Sequence, residues 1–436
     1  LTSVEQSLVE HVGRGELLDL TADDEAVDEA AMRLWGESRT CRASVIRDIL
    51  RGRLAADPDP HGLRLRGARI AGRLDLGNLS TDINLELRDC LLEEGVLARD
   101  ARLVGLGLDG CQLEHPAEPP LDGARLICSL LALARTRVIG HAGDGAVNLV
   151  GAHIGGYFVC DGAELRNDSG PALNANSLQA DQGMFLRGGF TAAGSDELGA
   201  VNLVGAHIGG HLDCTGADLS NDSGPALHAN TLQADQGVFL RVGFTAAGSG
   251  ARGAVNLTGA HIGGQLDCTG ADLSNDSGPA LNANILQVGQ DMFFRDGFTA
   301  AGSGDDGAVN LTGAHIGGHL DCSGAELRND SGPALSAYSL QVGQGMYLAS
   351  GFSATGGGKG VAVDLRAALV GGAFWFAPAR RRAAAPPDPD VGDHVLDPAA
   401  MACLGNEGVA ERGHRCSPVW LAVARGAGPG PVHRVA

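Results

Sequence analysis

The pentapeptide GAVNL begins at Gly145, Gly199, Gly253 and Gly307, and a degenerate VAVDL at Val361 keeps the same step of 54 residues. Every other landmark between Gly145 and about residue 360 keeps it too: Ile154, Ile208, Ile262 and Ile316; NDSGP from Asn167, Asn221, Asn275 and Asn329; Phe190, Phe244, Phe298 and Phe352. Self-similarity at a fixed period means stacked copies of one supersecondary unit, because a single copy cannot bury its apolar face alone.

Each unit divides again. GAVNLVGAHIGGYFVCDGAEL superimposes on PALNANSLQADQGMFLRGGFTA at a shift of about 26 residues, setting Val147 and Leu149 against Leu173 and Ala175, and Phe158 and Cys160 against Met184 and Leu186. One coil is therefore about 27 residues. Its apolar positions, Leu149, Ile154, Cys160 and Leu165, are spaced by five or six residues. That spacing is neither the 3.6 of a helix nor the unbroken 2 of a long strand. It suits a short strand, a corner, and one or two inward side chains per wall, with glycine where a corner needs positive φ. The expected fold is mainly β, a right-handed parallel β-helix with an N-terminal α-helical cap.

Residues 1–60 read as that cap. Ser3 with Gln6 resembles a capping box, Val4, Leu8, Val9 and Val12 share one face, and Val45, Ile46, Ile49 and Leu50 form a second stripe. Residues 61–144 carry looser versions of the coil, such as LRLRGARIAGRLDLGNL, and residues 145–376 the regular 54-residue units. From about 62 to 376 this predicts roughly 12 to 15 rungs at ~4.8 Å each. Residues 377–436, rich in Pro, Gly and Arg, read as mostly disordered.

Composition narrows the function. A net charge of -20 lacks the basic footprint that phosphate binding requires, so no direct nucleic-acid ligand is expected. No stretch reaches the ~18 apolar residues of a membrane helix. The N-terminus LTSVEQSLVEHV lacks the basic start of a secretory signal, which makes a cytoplasmic location the expectation. Peripheral membrane contact would have to come from a partner or from Phe374, Trp375 and Phe376 with Arg380, Arg381 and Arg382.

The tempting chemical residues all recur. Cys160, Cys214, Cys268 and Cys322 stand two rungs apart, ~9.6 Å, too far for disulfides. Leu186, Leu240, Phe294 and Leu348 hold the same position on alternate rungs, so these cysteines are expected to be inward hydrophobes. His153, His207, His261 and His315 keep the same two-rung step and cannot share a metal. The place of His319 is taken by Tyr157 and Gln265 in other units, which reads as an outward, solvated position. GAHIGG lacks the G-x-G-x-x-G spacing and a following helix, so it reads as a corner rather than a nucleotide loop. NDSGP lacks the spacing of known calcium loops and reads as a turn capped by its own Asn and Ser. The ladders of Asn148, Asn202, Asn256 and Asn310 and of Gln179, Gln233, Gln287 and Gln341 either hydrogen-bond along the stack or face solvent. There is no flavin or nicotinamide fingerprint and no nucleophile with a base, so no catalytic, metal or cofactor site is assigned.

Two resemblances bear on this reading. Ala314-His315-Ile316, Ala325-Glu326-Leu327, Ala68-Arg69-Ile70 and Ala124-Arg125-Leu126 match the small-x-apolar motif, so the chain resembles the pentapeptide-repeat proteins. It departs from their strict 20-residue coils by inserting NDSGP and AAGSG-type loops. LRLRGARIAGRLDL, GAHIGGHLDCSGAEL and VIRDILRGRL look like a group of actinobacterial proteins described as membrane-associated oxidoreductases, over residues 1–376. The first resemblance implies a mimic of duplex DNA that binds a DNA-binding enzyme such as gyrase. The second implies a redox enzyme, for which the residues offer no cofactor motif.

The reading that follows is a non-enzymatic acidic scaffold or protein-interaction module with a protein partner. Its candidate interaction face comprises Asp213, Asp267 and Asp321 at one recurring position and Asp218, Asp272 and Glu326 at another.

Overall fold

The computed structural model describes residues 1–21, 27–357 and 361–377. The expected disorder of the tail and the Arg380–Arg382 cluster lie outside these residues, apart from residue 377. Within them the chain is a parallel β-solenoid with four walls, sheets of 14, 13, 12 and 10 strands. A regular turn passes through the walls in order. Val147–Asn148 belongs to the first, His153–Ile154 to the second, Phe158–Val159 to the third and Glu164–Asn167 to the fourth.

The half-repeat alignment is the register. Val147 pairs with Leu173 and Phe158 with Met184, each in parallel. On the first three walls of the regular units the step alternates between 26 and 28 residues, as Asn148 to Asn174 and Asn174 to Asn202 show, while the fourth wall keeps 27, as from Glu164 to Thr191 and on to Asp218. Leu149, Ile154, Cys160 and Leu165 all point inward and are at most 1 % exposed. Each such aliphatic side chain contributes about 1.5–3 kcal/mol on burial. Stacking repeats those columns for the length of the rod, so one continuous core joins Val4 near the N-terminus to Ala368 near the last turn.

Among the described residues the N-terminal region holds three α-helices, α1 (Ser3–Arg14), α2 (Glu29–Arg33) and α3 (Ala43–Leu50), and a 3-10 turn at Glu37–Arg39. The first packs across Leu63–Arg66 and the third across Leu74–Asp75, both on the first turn. The region is not purely helical. Leu18–Asp19 pairs with Leu65–Arg66, and Thr40–Arg42 with Arg69–Ala71, so two short strands satisfy edges that helices alone would leave open. The capping box of α1 is Thr2 with Glu5, one residue earlier than Ser3 with Gln6. Glu5 holds that position because its carboxylate also meets Arg42 on the second short strand, at 2.6 and 2.7 Å.

Candidate functional site

The two acidic columns differ sharply in what surrounds them. Asp213, Asp267 and Asp321 lie on the third wall, where they alternate with Phe185, Phe239 and Phe293 on neighbouring rungs. Their side chains are only 16 %, 7 % and 22 % exposed. One carboxylate oxygen of each accepts the backbone N–H two residues on, from Thr215 at 3.0 Å, Thr269 at 3.0 Å and Ser323 at 2.9 Å. The other faces an arginine, at 3.6 Å from Arg187, 3.1 Å from Arg241 and 3.8 Å from Arg295. Those guanidiniums also sit 4.4, 4.5 and 4.2 Å from the ring centres of Phe185, Phe239 and Phe293. Thus this column is largely neutralised by the protein itself.

Asp218, Asp272 and Glu326 are on the fourth wall and are exposed. Asp218 and Asp272 accept hydrogen bonds from Thr245 and Thr299 on the next rung. The adjoining corner adds exposed Asp222, Asp276 and Asp330 from the NDSGP turns. Arg328 reaches Asp330 at 3.3 Å, but in the two middle units its place is held by Ser220 and Ser274. Among the described residues no cation pairs with Asp218, Asp222, Asp272 or Asp276. These four carboxylates repeat at two rungs, ~9.6 Å.

The NDSGP turn itself is a structural device. Asn275 is buried, its amide donates to the carbonyls of Gly250 at 3.0 Å and Pro279 at 2.7 Å, and its Oδ1 accepts from the N–H of Ser277 at 3.3 Å. Its oxygen is thereby committed within the turn. Asn275→Ala removes a donor from each of two carbonyls, which keep the N–H groups of Gly253 and Ala254, and leaves the Ser277 N–H without its acceptor, so it should cost about 2 kcal/mol in denaturant unfolding. A change under about 0.5 kcal/mol would mean that water replaces the amide there.

The Asn148, Asn202 and Asn310 amides run along the stack, to Asp122 at 3.2 Å, Asn174 at 3.1 Å and Asn282 at 3.4 Å. Gln179, Gln233, Gln287 and Gln341 face solvent. His153 and His207 meet Asp181 and Asp235 of the next rung at 3.0 and 3.1 Å, whereas Gly289 and Gly343 stand at those places further along. Among the described residues no group of three or more His, Cys, Asp or Glu is placed to hold a metal ion.

Cys160, Cys214, Cys268 and Cys322 are wholly buried and unpaired. Burial pushes all four thiols far above their ordinary range, and those of Cys41 and Cys128 up to about 12. A folded chain with Cys403 and Cys416 changed to serine should therefore resist a thiol reagent at pH 8 and react fully once unfolded. Fast labelling of the native chain would show an exposed thiolate instead.

Two features were missed in the sequence. His319 is not simply solvated: its Nδ1 accepts the Gly345 N–H at 2.9 Å and its ring lies 5.6 Å from Tyr347. His211 repeats this with Gly237 at 3.1 Å and Phe239 at 5.2 Å. The outward column Phe185, Phe239, Phe293 and Tyr347 was the second omission. Its signal was the recurring MFLR, VFLR, MFFR and MYLA phrases, read only for their inward residues.

No described helix is long and apolar enough to cross a membrane. Comparison of the chain with family models, with curated proteins and with solved structures found no match.

Proposed function

We propose that this chain is a non-enzymatic protein-interaction rod that presents an acidic edge to a basic protein surface. The observation that supports this is the contrast between the two carboxylate columns. Asp213, Asp267 and Asp321 are tied into turns and arginines, while Asp218, Asp222, Asp272 and Asp276 stand exposed without a cation among the described residues. Free carboxylates at a fixed repeat speed encounter with a positive partner and set its register.

The test is capture of partners from cell extract by the full chain and by a quadruple variant, Asp218→Asn, Asp222→Asn, Asp272→Asn and Asp276→Asn. At roughly 0.5 kcal/mol per exposed charge, a captured partner's affinity should fall about 30-fold, and rising salt should weaken the wild type more than the variant. Equal, salt-insensitive binding by both proteins would remove the acidic edge from the account. DNA mimicry is a narrower version of the same reading, and predicts that the captured enzyme is a gyrase-like protein displaced by duplex DNA. Flavin absorbance in the purified chain would support the redox reading instead.

A further inference from the structure

The chain itself seats one helix on the outside of the fourth wall. Glu29 of α2 meets Arg137, Arg33 meets Glu114, and Met32 and Trp35 pack on Leu91. Leu91, Gln112 and Arg137 share one outward column of that wall, and Glu114 belongs to the column beside it. The segment then joins the edge of the same wall as the strand Thr40–Arg42. So α2 lies along the rod. At helical rise the six-residue step from Glu29 to Trp35 covers ~9 Å, and the two rungs from Arg137 to Leu91 span ~9.6 Å.

The same two columns continue past α2 and change character. Beyond Glu164 and Arg166, five successive rungs carry threonine or aspartate in the first column and alanine or serine in the second. The second column reads Ala193, Ser220, Ala247, Ser274 and Ala301, so no side chain there is larger than a hydroxymethyl group. Glu326 and Arg328 end the run. The result is a shallow trough four rung steps long, ~19 Å, the length of ~13 helical residues.

Carboxylates flank this trough. Asp218 and Asp272 stand in its first column, while Asp222 and Asp276 follow the strand ends four residues on, up to ~13 Å away in extended chain. A helix with its side chains is ~10–12 Å across and fits between them. Where α2 lies, the wall offers Arg137 as well as Glu114, and the helix answers with Glu29 and Arg33. Along the trough the only charges in the two columns are carboxylates, so the complementary helix is basic. Asp218 and Asp272 are two rungs apart, ~9.6 Å, close to the ~10.5 Å rise of seven helical residues.

We propose that this trough seats a basic helix of a partner protein, lying along the rod as α2 does. A stripe of small residues on that helix faces Ala193 to Ala301, and arginines or lysines seven apart on its flanks meet the aspartates in turn. This rests on the reading of the chain as a protein-binding rod with an acidic edge, and it names the class of partner.

The experiment is fluorescence anisotropy of the full chain with a labelled sixteen-residue helical peptide, alanine along one face and arginine on both flanks of that face. One control has the same composition with its arginines on every face. A second carries two prolines in mid-sequence, which break the helix. The faced peptide should bind about tenfold more tightly than either control. Ala247→Trp, which fills the middle of the trough from an exposed position, should remove that advantage, and Ser274→Trp should do the same one rung on. Thermal unfolding confirms that each variant is folded, and either one alone decides the point. Equal affinity for the three peptides, no binding by any of them, or indifference of the faced peptide to both tryptophan variants would overturn the proposal. The Asp218, Asp222, Asp272 and Asp276 variant should weaken all three peptides. If it does so while the three bind alike, the acidic edge stands and only the helix seat fails.

Discussion

Glu5→Ala is expected to lower the local stability of the first turns by about 3 kcal/mol and to let the chain self-associate through its N-terminal end. Glu5 is fully buried and accepts four hydrogen bonds. Thr2 N–H donates at 2.8 Å, and Arg42 donates from its backbone at 3.2 Å and its guanidinium at 2.7 and 2.6 Å. One side chain therefore starts α1 and pins that helix to the strand Thr40–Arg42, which closes the edge of the fourth wall. The Arg42 guanidinium holds the Glu5 carboxyl down at about 2, with burial opposing and the backbone bonds assisting. With the unfolded value near 4.5, the stabilisation is complete above about pH 4.5 and lost as pH falls through about 2. That interval of roughly 2.5 pH units corresponds to about 3 kcal/mol. Hydrogen exchange of Leu63–Arg66 should show the wild type and variant far apart at pH 7 and converging near pH 2. An equal gap at both ends of that range would place the energy elsewhere. Opening this end exposes strand edges that a second copy can pair with, which size-exclusion chromatography would detect.

The misplaced capping box shows what local pattern cannot resolve. Thr2-x-x-Glu5 and Ser3-x-x-Gln6 both fit the motif, and only the distant Arg42 decides between them. The walls were legible for the opposite reason: inward positions repeat within one coil, and aligning half-units is already the strand register. Outward positions were less so. Whether an aspartate on the surface is free depends on the next turn, 26 to 28 residues away. Asp213 and Asp218 look alike in the sequence, yet Arg187 reaches the first while Thr245 lies beside the second. That difference was present in the aligned halves, because Arg187, Arg241 and Arg295 recur at the unit step, but it becomes visible only when outward columns are aligned as carefully as inward ones.

The glycines make the same point energetically, since the repeat uses them for two reasons. Gly205 has φ +63 and its nearest neighbour to an added Cβ would be 3.7 Å away, so it is there for its backbone conformation. Gly205→Ala should cost about 1 kcal/mol. Gly209 lies outside the left-handed region, yet its Cβ would fall 2.3 Å from the Asp181 carbonyl oxygen and 3.0 Å from its carbon. Gly263, Gly317 and Gly371 repeat this, at 2.3, 2.4 and 2.3 Å from the preceding turn. Here glycine lets two turns approach, a second reason beside the positive φ that some corners need. A backbone oxygen held in a sheet cannot move aside, so Gly209→Ala should cost about 3 kcal/mol despite its ordinary φ. Gly155 supplies the internal control. It is the same position one unit earlier, but its nearest contact would be 3.9 Å, and Gly155→Ala should be nearly neutral. Denaturant unfolding of the three variants should rank Gly209 well above Gly205, and Gly205 above Gly155. If Gly155→Ala proved as damaging as Gly209→Ala, close approach of turns would not be what selects glycine at this corner.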